Sequence, residues 1–253
     1  MARLRTARFD ERLSLVEHLD ELRTRIVVCV VVLVVAVGLC FWQNHHLLHL
    51  INGPLPAHKE PFTLSPTEPF LTTFKISAYA GIILALPVIL YQAYAFVLPA
   101  LSPAERRVIV PFLVLVPFLF IAGVVFGYLV VLPAALKFLL NFNNDQFNVQ
   151  VRASDYYSFV TITLLAMGIV FQVPMGILAL TRLGIVSVEQ LRHNRRYAYF
   201  ILAVVAMLLP GTDPITMLVE LAPLLVLYEF SIVLARIFGR PIARADPAAG
   251  EAS

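Results

Sequence analysis

Charged side chains that could bind an ionic ligand lie close to the ends of long apolar runs. Glu21 and Arg23 precede the first such run, and Glu105 follows the second one. A carboxylate accepts two parallel hydrogen bonds from a guanidinium, so two carboxylates on one polar surface could bind a pair of arginines. Structural roles are equally open, because Glu105 could close a helix-capping box and Glu21 could pair with Arg25 one helical turn away.

A second set of polar side chains lies inside the apolar runs. Gln172 lies in the fourth run, and Glu220 and Glu229 lie in the last one. An acid in hydrocarbon is costly unless it faces protein or water, has a partner, or stays protonated. Nine residues correspond to 900° of helix, so the two acids are predicted to face opposite directions. Glu229 is interpreted as a structural hydrogen-bonding group, whereas Glu220 has no cationic partner in any run and could serve a second protein.

Catalytic motifs of soluble enzymes are absent from the sequence. There is no phosphate-binding loop, no glycine-rich dinucleotide turn, no HExxH and no paired Cys/His spacing. His45, His46 and His49 form a cluster at the outer end of the first run, and we interpret them as a solvated interface in preference to a metal or proton site. The sequence therefore predicts no enzyme activity, no metal and no cofactor.

The composition requires a lipid environment for the elements that position these groups. Hydrophobic residues make up 60% of the 253 residues and charged residues 14%, against roughly 45–50% and about 25% in soluble proteins. A helix needs about 20 mostly apolar residues to span a hydrocarbon layer of about 30 Å. Six runs with few or no charges approach that length: 26–42, 76–101, 108–136, 156–181, 197–212 and 214–235. We predict an all-α membrane protein with six transmembrane helices.

The distribution of basic residues predicts the orientation of these spans. If six spans alternate, 15 of the 19 Lys and Arg residues fall on one side of the membrane. The four on the other side are Lys59, Lys75, Lys137 and Arg152. The positive-inside rule then places both termini in the cytoplasm. A net charge of +3 gives no indication of nucleic-acid binding.

Residue patterns also predict where helices begin and bend. Ser65-Pro66-Thr67-Glu68 and Ser102-Pro103-Ala104-Glu105 resemble capping boxes, and Asp213-Pro214 resembles a helix start. Prolines inside the spans predict a curved, kinked bundle: Pro87, Pro111, Pro117, Pro133, Pro174 and Pro223. The fifth and sixth spans are expected to be short; 197–209 provides only thirteen residues, or about 20 Å of helix.

Three segments follow from these patterns. Residues 1–25 form an amphipathic cytoplasmic segment that is predicted to include a helix lying at the membrane interface. Residues 26–238 form the transmembrane domain, and residues 239–253 form a polar cytoplasmic tail that is predicted to be disordered.

Across nearly the whole chain, the order and spacing of short motifs resemble the TatC family, the multi-span component of the twin-arginine protein translocase. The matching residues are His18-Leu19-Asp20-Glu21-Leu22-Arg23-Thr24-Arg25, Ser65-Pro66-Thr67-Glu68-Pro69-Phe70, Pro87, Tyr91-Gln92, Phe96, Pro99-Ala100-Leu101, Glu105-Arg106-Arg107, Phe120, Gly123, Phe126-Gly127-Tyr128, Pro133, Asp213-Pro214 and Leu227-Tyr228-Glu229. Each motif is weak by itself, and their shared order makes the resemblance specific.

The resemblance implies a receptor in the bacterial cytoplasmic (inner) membrane. Such proteins bind the paired arginines of signal peptides on folded cargo, assemble with single-span TatA and TatB type partners, and use the proton-motive force; self-association is a further option. It implies that Glu21 and Glu105 contact the arginines, with Arg23 and Phe96 shaping the surface. Two partly desolvated carboxylates would distinguish arginine from lysine by geometry.

One position departs from the family pattern. Many members of the family carry a glutamate where this chain has Gln172, and an amide cannot bind a proton or a cation. We hypothesise that Glu220 supplies the missing acid, and that Gln172, Met207, Asp213 and Glu220 contribute to docking of a partner helix.

Two other functions compete with the receptor. Acids in the last span would suit a proton- or ion-coupled secondary transporter. An intramembrane enzyme would need a convergent nucleophile or acid–base set, and no such set occurs in the middle of any span.

Overall fold

The structure, a computed structural model, describes residues 15–56, 59–97, 103–143, 145–147, 149–182, 184–211 and 213–238; the side chains of residues 15–18, 97, 103–109 and 111–112 fall outside that description. The helices are α1 Leu15–Trp42, α2 Asn44–Asn52, α3 Glu68–Val97, α4 Pro103–Phe126, α5 Leu132–Asn141, α6 Ala153–Val170, α7 Val173–Arg182, α8 Val188–His193, α9 Arg195–Leu208 and α10 Pro214–Phe238. The chain is therefore all-α over its described part, apart from one isolated β-bridge between Phe62 and Arg152.

Five helical stretches within the described residues are long and apolar enough to cross a membrane. They are Leu19–Trp42, Glu68–Phe96, Leu113–Asn141, Ala153–Arg182 and Pro214–Phe238. The predicted fifth span corresponds to α9, whose 14 residues give about 21 Å of helix, less than the thickness of the hydrocarbon layer.

The prediction of a short sixth span was wrong. Helix α10 has 25 residues, which correspond to about 37 Å and exceed the hydrocarbon thickness. It runs through both Pro223 and Glu229 and ends at Phe238. The helix continues for nine residues past Glu229, whose carboxylate accepts hydrogen bonds from side chains of α9.

The amphipathic segment predicted before the first span is continuous with that span where the structure describes it. Helix α1 begins at Leu15 and passes Arg25 without interruption. The rest of that segment, residues 1–14, and the predicted tail at residues 239–253 lie outside the described residues.

Helices α1 and α3 form an antiparallel pair. Three contacts along its length are the hydrogen bond from Arg25 to Gln92, the packing of Val37 against Gly81, and the edge-to-face rings of Phe41 and Phe74. The absence of a side chain at Gly81 allows this approach, since a Cβ there would lie 2.6 Å from the Cα of Val37. The start of α1 and the end of α3 therefore lie at one end of the bundle, named here the Glu21 end.

Prolines explain two irregularities in the long helical stretches. Residues Gly127–Val131 adopt π-helical geometry just before Pro133, and Phe171 and Gln172 interrupt the helix just before Pro174. Proline has no backbone N–H to continue the helical ladder, so neighbouring carbonyls must find other arrangements. The second irregularity places Gln172 at the junction between α6 and α7.

Two apolar cores hold the bundle together. The core at the opposite end, named here the Glu68 end, contains Ile51, Ile76, Leu132, Leu136, Ala153, Tyr156, Tyr157, Val160 and Leu164. The second core, between α6, α9 and α10, contains Val170, Leu202, Leu224, Tyr228 and Ile232.

An ion pair at the Glu68 end ties α3 to the start of α6. Glu68 Oε1 accepts a hydrogen bond from Arg152 Nε at 3.0 Å, and Glu68 Oε2 accepts one from the backbone N–H of Leu64 at 2.8 Å. The predicted capping box was wrong in one respect. It paired the Glu68 carboxylate with the backbone N–H of Ser65, whereas the observed donor is the N–H of Leu64. A turn closed from Glu68 N to the Ser65 carbonyl makes the glutamate the first helical residue, so its carboxylate reaches one residue further back.

Arg152→Gln is expected to lower the thermal unfolding temperature in detergent more than Glu68→Gln does. The carboxylate of Glu68 is only 7% exposed and would lose its cation, whereas Arg152 is 42% exposed and water can hydrate it. Glu68 raises the pKa of Arg152, so the guanidinium stays charged at any working pH. Circular dichroism during heating measures the difference, with the exposed Lys75→Gln as the control. Equal unfolding temperatures for Arg152→Gln and the control would contradict the prediction.

Candidate functional site

A three-residue hydrogen-bonded set occupies the Glu21 end of the α1–α3 pair. Arg25 donates from Nε and from one terminal nitrogen to Glu21 Oε1, the first of these bonds measuring 3.0 Å. Its other terminal nitrogen donates to Gln92 Oε1 at 2.7 Å. The pairing at i, i+4 that the spacing of Glu21 and Arg25 allows is therefore present, and it is linked to α3 through Gln92.

This set is partly accessible from outside the protein. The side chains of Glu21 and Arg25 are 26% and 24% exposed. Arg23 is exposed on the same helix, and Phe96 lies half-buried one helical turn after Gln92. An ionic ligand could therefore reach a carboxylate that is partly, but not fully, removed from water.

Glu105 belongs to the same end of the bundle by its place in the chain. Helix α4 begins at Pro103, as the Ser-Pro pattern predicted, so Glu105 lies in its first turn. The side chain of Glu105 lies outside the described residues. The predicted pairing of its carboxylate with that of Glu21 stays a prediction.

The residues predicted to dock a partner helix do not lie on one surface. Gln172 and Glu220 are 7% and 0% exposed, Asp213 is also buried, and Met207 is 62% exposed on α9. No hydrogen bond joins any two of these four in the part of the chain that the structure describes. Of these four residues, only Met207 could contact a partner directly without a rearrangement of the bundle.

Each of the three buried members has a distinct local environment. Gln172 donates from Nε2 to the carbonyl of Val116 at 3.1 Å. Asp213 caps α10 by accepting bonds from the N–H and the hydroxyl of Thr216, at 2.8 and 2.6 Å, which confirms the predicted helix start. Neither carboxyl oxygen of Glu220 has a hydrogen-bond partner among the described residues.

Glu229 connects α10 to the beginning of α9. Arg195 donates to Glu229 Oε2 at 2.9 Å, and the hydroxyl of Tyr199 donates to Oε1. The adjacent Tyr228 donates to the carbonyl of Leu191 at 2.9 Å, which adds α8 to the same junction. Glu229 is partly exposed and paired, in contrast to Glu220, as their 900° separation along α10 leads one to expect.

Two partners in these networks are only weakly indicated by sequence patterns. Gln92 and Arg152 lie 67 and 84 residues from the groups that they bind. The available signal at Gln92 was an amide inside an otherwise uncharged run, and such groups in membrane helices normally have a partner. For Arg152 the signal was a cation close to the start of a span, opposite a glutamate at the start of another.

Comparison with known proteins supports a single family. The profile of the family described as TatC, Sec-independent protein translocase protein, matches residues 17–223. The chain is 38% identical to the Sec-independent protein translocase protein TatC of Carboxydothermus hydrogenoformans, covering 90% of this chain and 94% of that one. It is 36% identical to the protein of the same description from Desulforapulum autotrophicum, covering 92% and 88%.

A solved structure agrees with the sequence comparisons. The fold superimposes on a crystal structure described as the twin-arginine translocase receptor TatC with a TM-score of 0.74 and 37% identity, covering 88% of this chain and all of the other. These relatives are named for protein translocation, which is a transport function. The chain therefore belongs to the TatC family of Sec-independent protein translocase proteins, multi-span membrane proteins of the protein-transport machinery.

Proposed function

We propose that this protein is the signal-peptide receptor and core subunit of a twin-arginine translocase in the bacterial cytoplasmic membrane. It binds the paired arginines of folded cargo precursors at the cytoplasmic face and assembles with TatA and TatB type single-span partners for export driven by the proton-motive force. In this arrangement the Glu21 end faces the cytoplasm, as do both termini, and α9 is the short fifth of six spans in a proline-bent bundle.

The geometry around Glu21 is the observation that supports this function best. Its carboxylate already accepts two N–H groups of one guanidinium, that of Arg25, in a partly exposed position. The site therefore has the donor–acceptor chemistry that a signal-peptide arginine requires. Glu105 in the first turn of α4 would supply the second carboxylate, with Arg23 and Phe96 bordering the surface.

Selectivity for arginine over lysine follows from the same chemistry. A guanidinium presents five N–H donors in a planar fork, whereas an ammonium is a compact charge that is more strongly hydrated. Removing the ammonium from water costs more free energy, and an ammonium cannot make the planar two-donor contact. A peptide with two lysines should therefore bind more weakly to the same carboxylates.

Partner helices would bind on the outer surface of α9. Large apolar side chains are exposed along this helix: Tyr197, Phe200, Ile201, Val204, Met207 and Leu208. A helix of 14 residues cannot match a bilayer by itself, and a partner's transmembrane helix would cover its surface. Asp213 caps α10 and Glu220 lies on it, and α10 packs against α9. With Gln172, these buried residues would support the exposed surface of α9 from inside the bundle.

One observation favours a second candidate function. Glu220 is an acid inside the last span with no hydrogen-bond partner among the described residues, and intramembrane acids are a feature of proton- or ion-coupled secondary transporters. The purified chain alone would then catalyse solute uptake into proteoliposomes. The receptor function predicts no uptake without partners and cargo.

Glu21→Gln and Glu105→Gln are each expected to weaken binding of a twin-arginine signal peptide by about tenfold or more. A hydrogen bond to a charged group contributes roughly 1.5–3 kcal/mol, and 1.4 kcal/mol corresponds to a factor of ten. Site-specific crosslinking from position 96 and peptide titration on protein in nanodiscs measure the effect, with a two-lysine peptide for comparison.

The exposed Glu189→Gln on α8 serves as the matched control and should bind as the unsubstituted protein does. Equal binding of the arginine and lysine peptides would count against arginine recognition. Unchanged binding by both glutamate variants would exclude these carboxylates as the site.

A further inference from the structure

We propose that Arg25 is an internal competitor that occupies the Glu21 carboxylate until a signal-peptide arginine displaces it. This inference rests on the proposed function, because it concerns the regulation of the same site. Arg25 would therefore affect ligand binding without contacting the ligand.

The competitor resembles the ligand in its chemistry. Arg25 presents a guanidinium to Glu21 through two N–H groups, which is the contact that an arginine of a signal peptide would make. Both side chains are about three-quarters buried, so the pair occupies the carboxylate on the side that faces α3. An incoming arginine that binds Glu21 Oε1 must displace Arg25 from that oxygen.

Gln92 makes such an exchange feasible. Arg25 binds Gln92 Oε1 through the terminal nitrogen that is not used for Glu21, at 2.7 Å. A displaced guanidinium can therefore keep a neutral acceptor on α3 while it releases the carboxylate. Because the ligand arginine takes the place of Arg25, Glu21 keeps the same number of hydrogen bonds. The cost of the exchange is that Arg25 loses its contact with the carboxylate.

Competition has a quantitative signature. If only the fraction of protein with Arg25 displaced can bind, the apparent dissociation constant equals the intrinsic constant divided by that fraction. The fraction is a property of the free protein, so the factor is the same for every ligand. Arg25 would then weaken the binding of every cationic peptide by the same factor. The ratio of the dissociation constants of the arginine and lysine peptides would not change.

The experiment compares Arg25→Gln, Arg25→Lys and Glu21→Gln, each in the full-length protein in nanodiscs. Fluorescence anisotropy measures the dissociation constants of a twin-arginine and a two-lysine signal peptide. We expect Arg25→Gln to bind both peptides about fourfold more tightly, the factor that the relation between apparent and intrinsic constants gives for an ion pair of about 0.6 kcal/mol. Arg25→Lys keeps the charge and should give a smaller gain. Arg192→Gln, an exposed arginine on α8, should change neither constant.

A double substitution tests whether the effect passes through Glu21. In a Glu21→Gln background, Arg25 has no carboxylate to occupy, so Arg25→Gln should produce no further gain. Weaker or unchanged binding by Arg25→Gln, in protein with wild-type helix content, would overturn the inference. A change in the ratio between the two peptides would also overturn it, because Arg25 would then contact the ligand.

Different results would disprove the receptor site and the competitor role of Arg25. If Glu21→Gln binds the arginine peptide as well as the wild type does, Glu21 is not part of the receptor site, and the proposed function fails at this residue together with the competitor role. If Glu21→Gln binds weakly and Arg25→Gln binds weakly too, the receptor site stands and only the competitor role is lost.

Discussion

Gly123→Ala is expected to lower the free energy of unfolding by about 3 kcal/mol, the upper part of the usual range for overpacking a core. A Cβ at this position would lie 2.5 Å from the backbone carbonyl oxygen of Met167 and 2.9 Å from the Cβ of Phe171. Neither atom belongs to the mobile end of a side chain, so α4 and α6 must move apart. The loss of contacts along both helices is what makes the effect large.

The measurement is unfolding in mixed micelles followed by circular dichroism. Gly176→Ala on α7 is the matched control, because nothing lies within 4 Å of a Cβ there, and it should be neutral or stabilising by up to about 1 kcal/mol. Gly168→Ala tests the same interface from the other side, where a Cβ would lie 2.5 Å from the ring of Phe120. Its cost should be smaller, since the clashing atoms belong to a side chain, which can shift with less disturbance than a backbone carbonyl. If Gly123→Ala is as stable as Gly176→Ala, the helices do not approach each other as described.

Glu220→Met is expected to raise the free energy of unfolding by about 2 kcal/mol. The side chain of Glu220 is fully buried, and neither carboxyl oxygen has a hydrogen-bond partner among the described residues. Leaving a buried polar group unsatisfied costs roughly 1–3 kcal/mol, and an apolar side chain of similar volume removes that cost. A residue that reduces stability in this way is commonly retained for function. Export of a folded twin-arginine cargo should therefore fall in the same variant.

Glu229→Met is the matched control for this prediction. It removes an acid nine residues further along the same helix, but one that accepts bonds from Arg195 and Tyr199, so it should destabilise. An unfolding temperature below wild type for Glu220→Met would show that its carboxylate has a partner in the membrane. If Glu220→Met leaves export and association with TatA and TatB type partners unchanged, Glu220 has no role in either process.

Local patterns in the sequence predicted the features that depend on neighbouring residues. The starts of α4 and α10 follow from Ser-Pro and Asp-Pro pairs, and Asp213 caps α10 through a residue three positions away. The pairing of Glu21 with Arg25 likewise follows from helical spacing. Each of these is fixed by the geometry of a single turn, which the sequence displays directly.

Features that depend on the packing of distant helices could not be predicted in the same way. The pairing of Glu68 with Arg152, just before α6, and the link from Arg25 to Gln92 each depend on which helices become neighbours. The apolar run 214–235 likewise did not show that α10 continues to Phe238. Burial of Glu220 is a property of the whole bundle, and no single turn of α10 reveals it.

The antiparallel pairing of α1 with α3 also bears on how the chain is assembled as it leaves the ribosome. These two helices are separated only by residues 43–67, which include α2, and they pack against each other along much of their length. The pair can therefore form in the membrane while later spans are still being synthesised. The tie between Glu68 and Arg152 must wait for α6. Early insertion would thus fix the positions of Glu21 and Gln92 first, and α9 and α10 would pack later against a helix pair that already carries both residues.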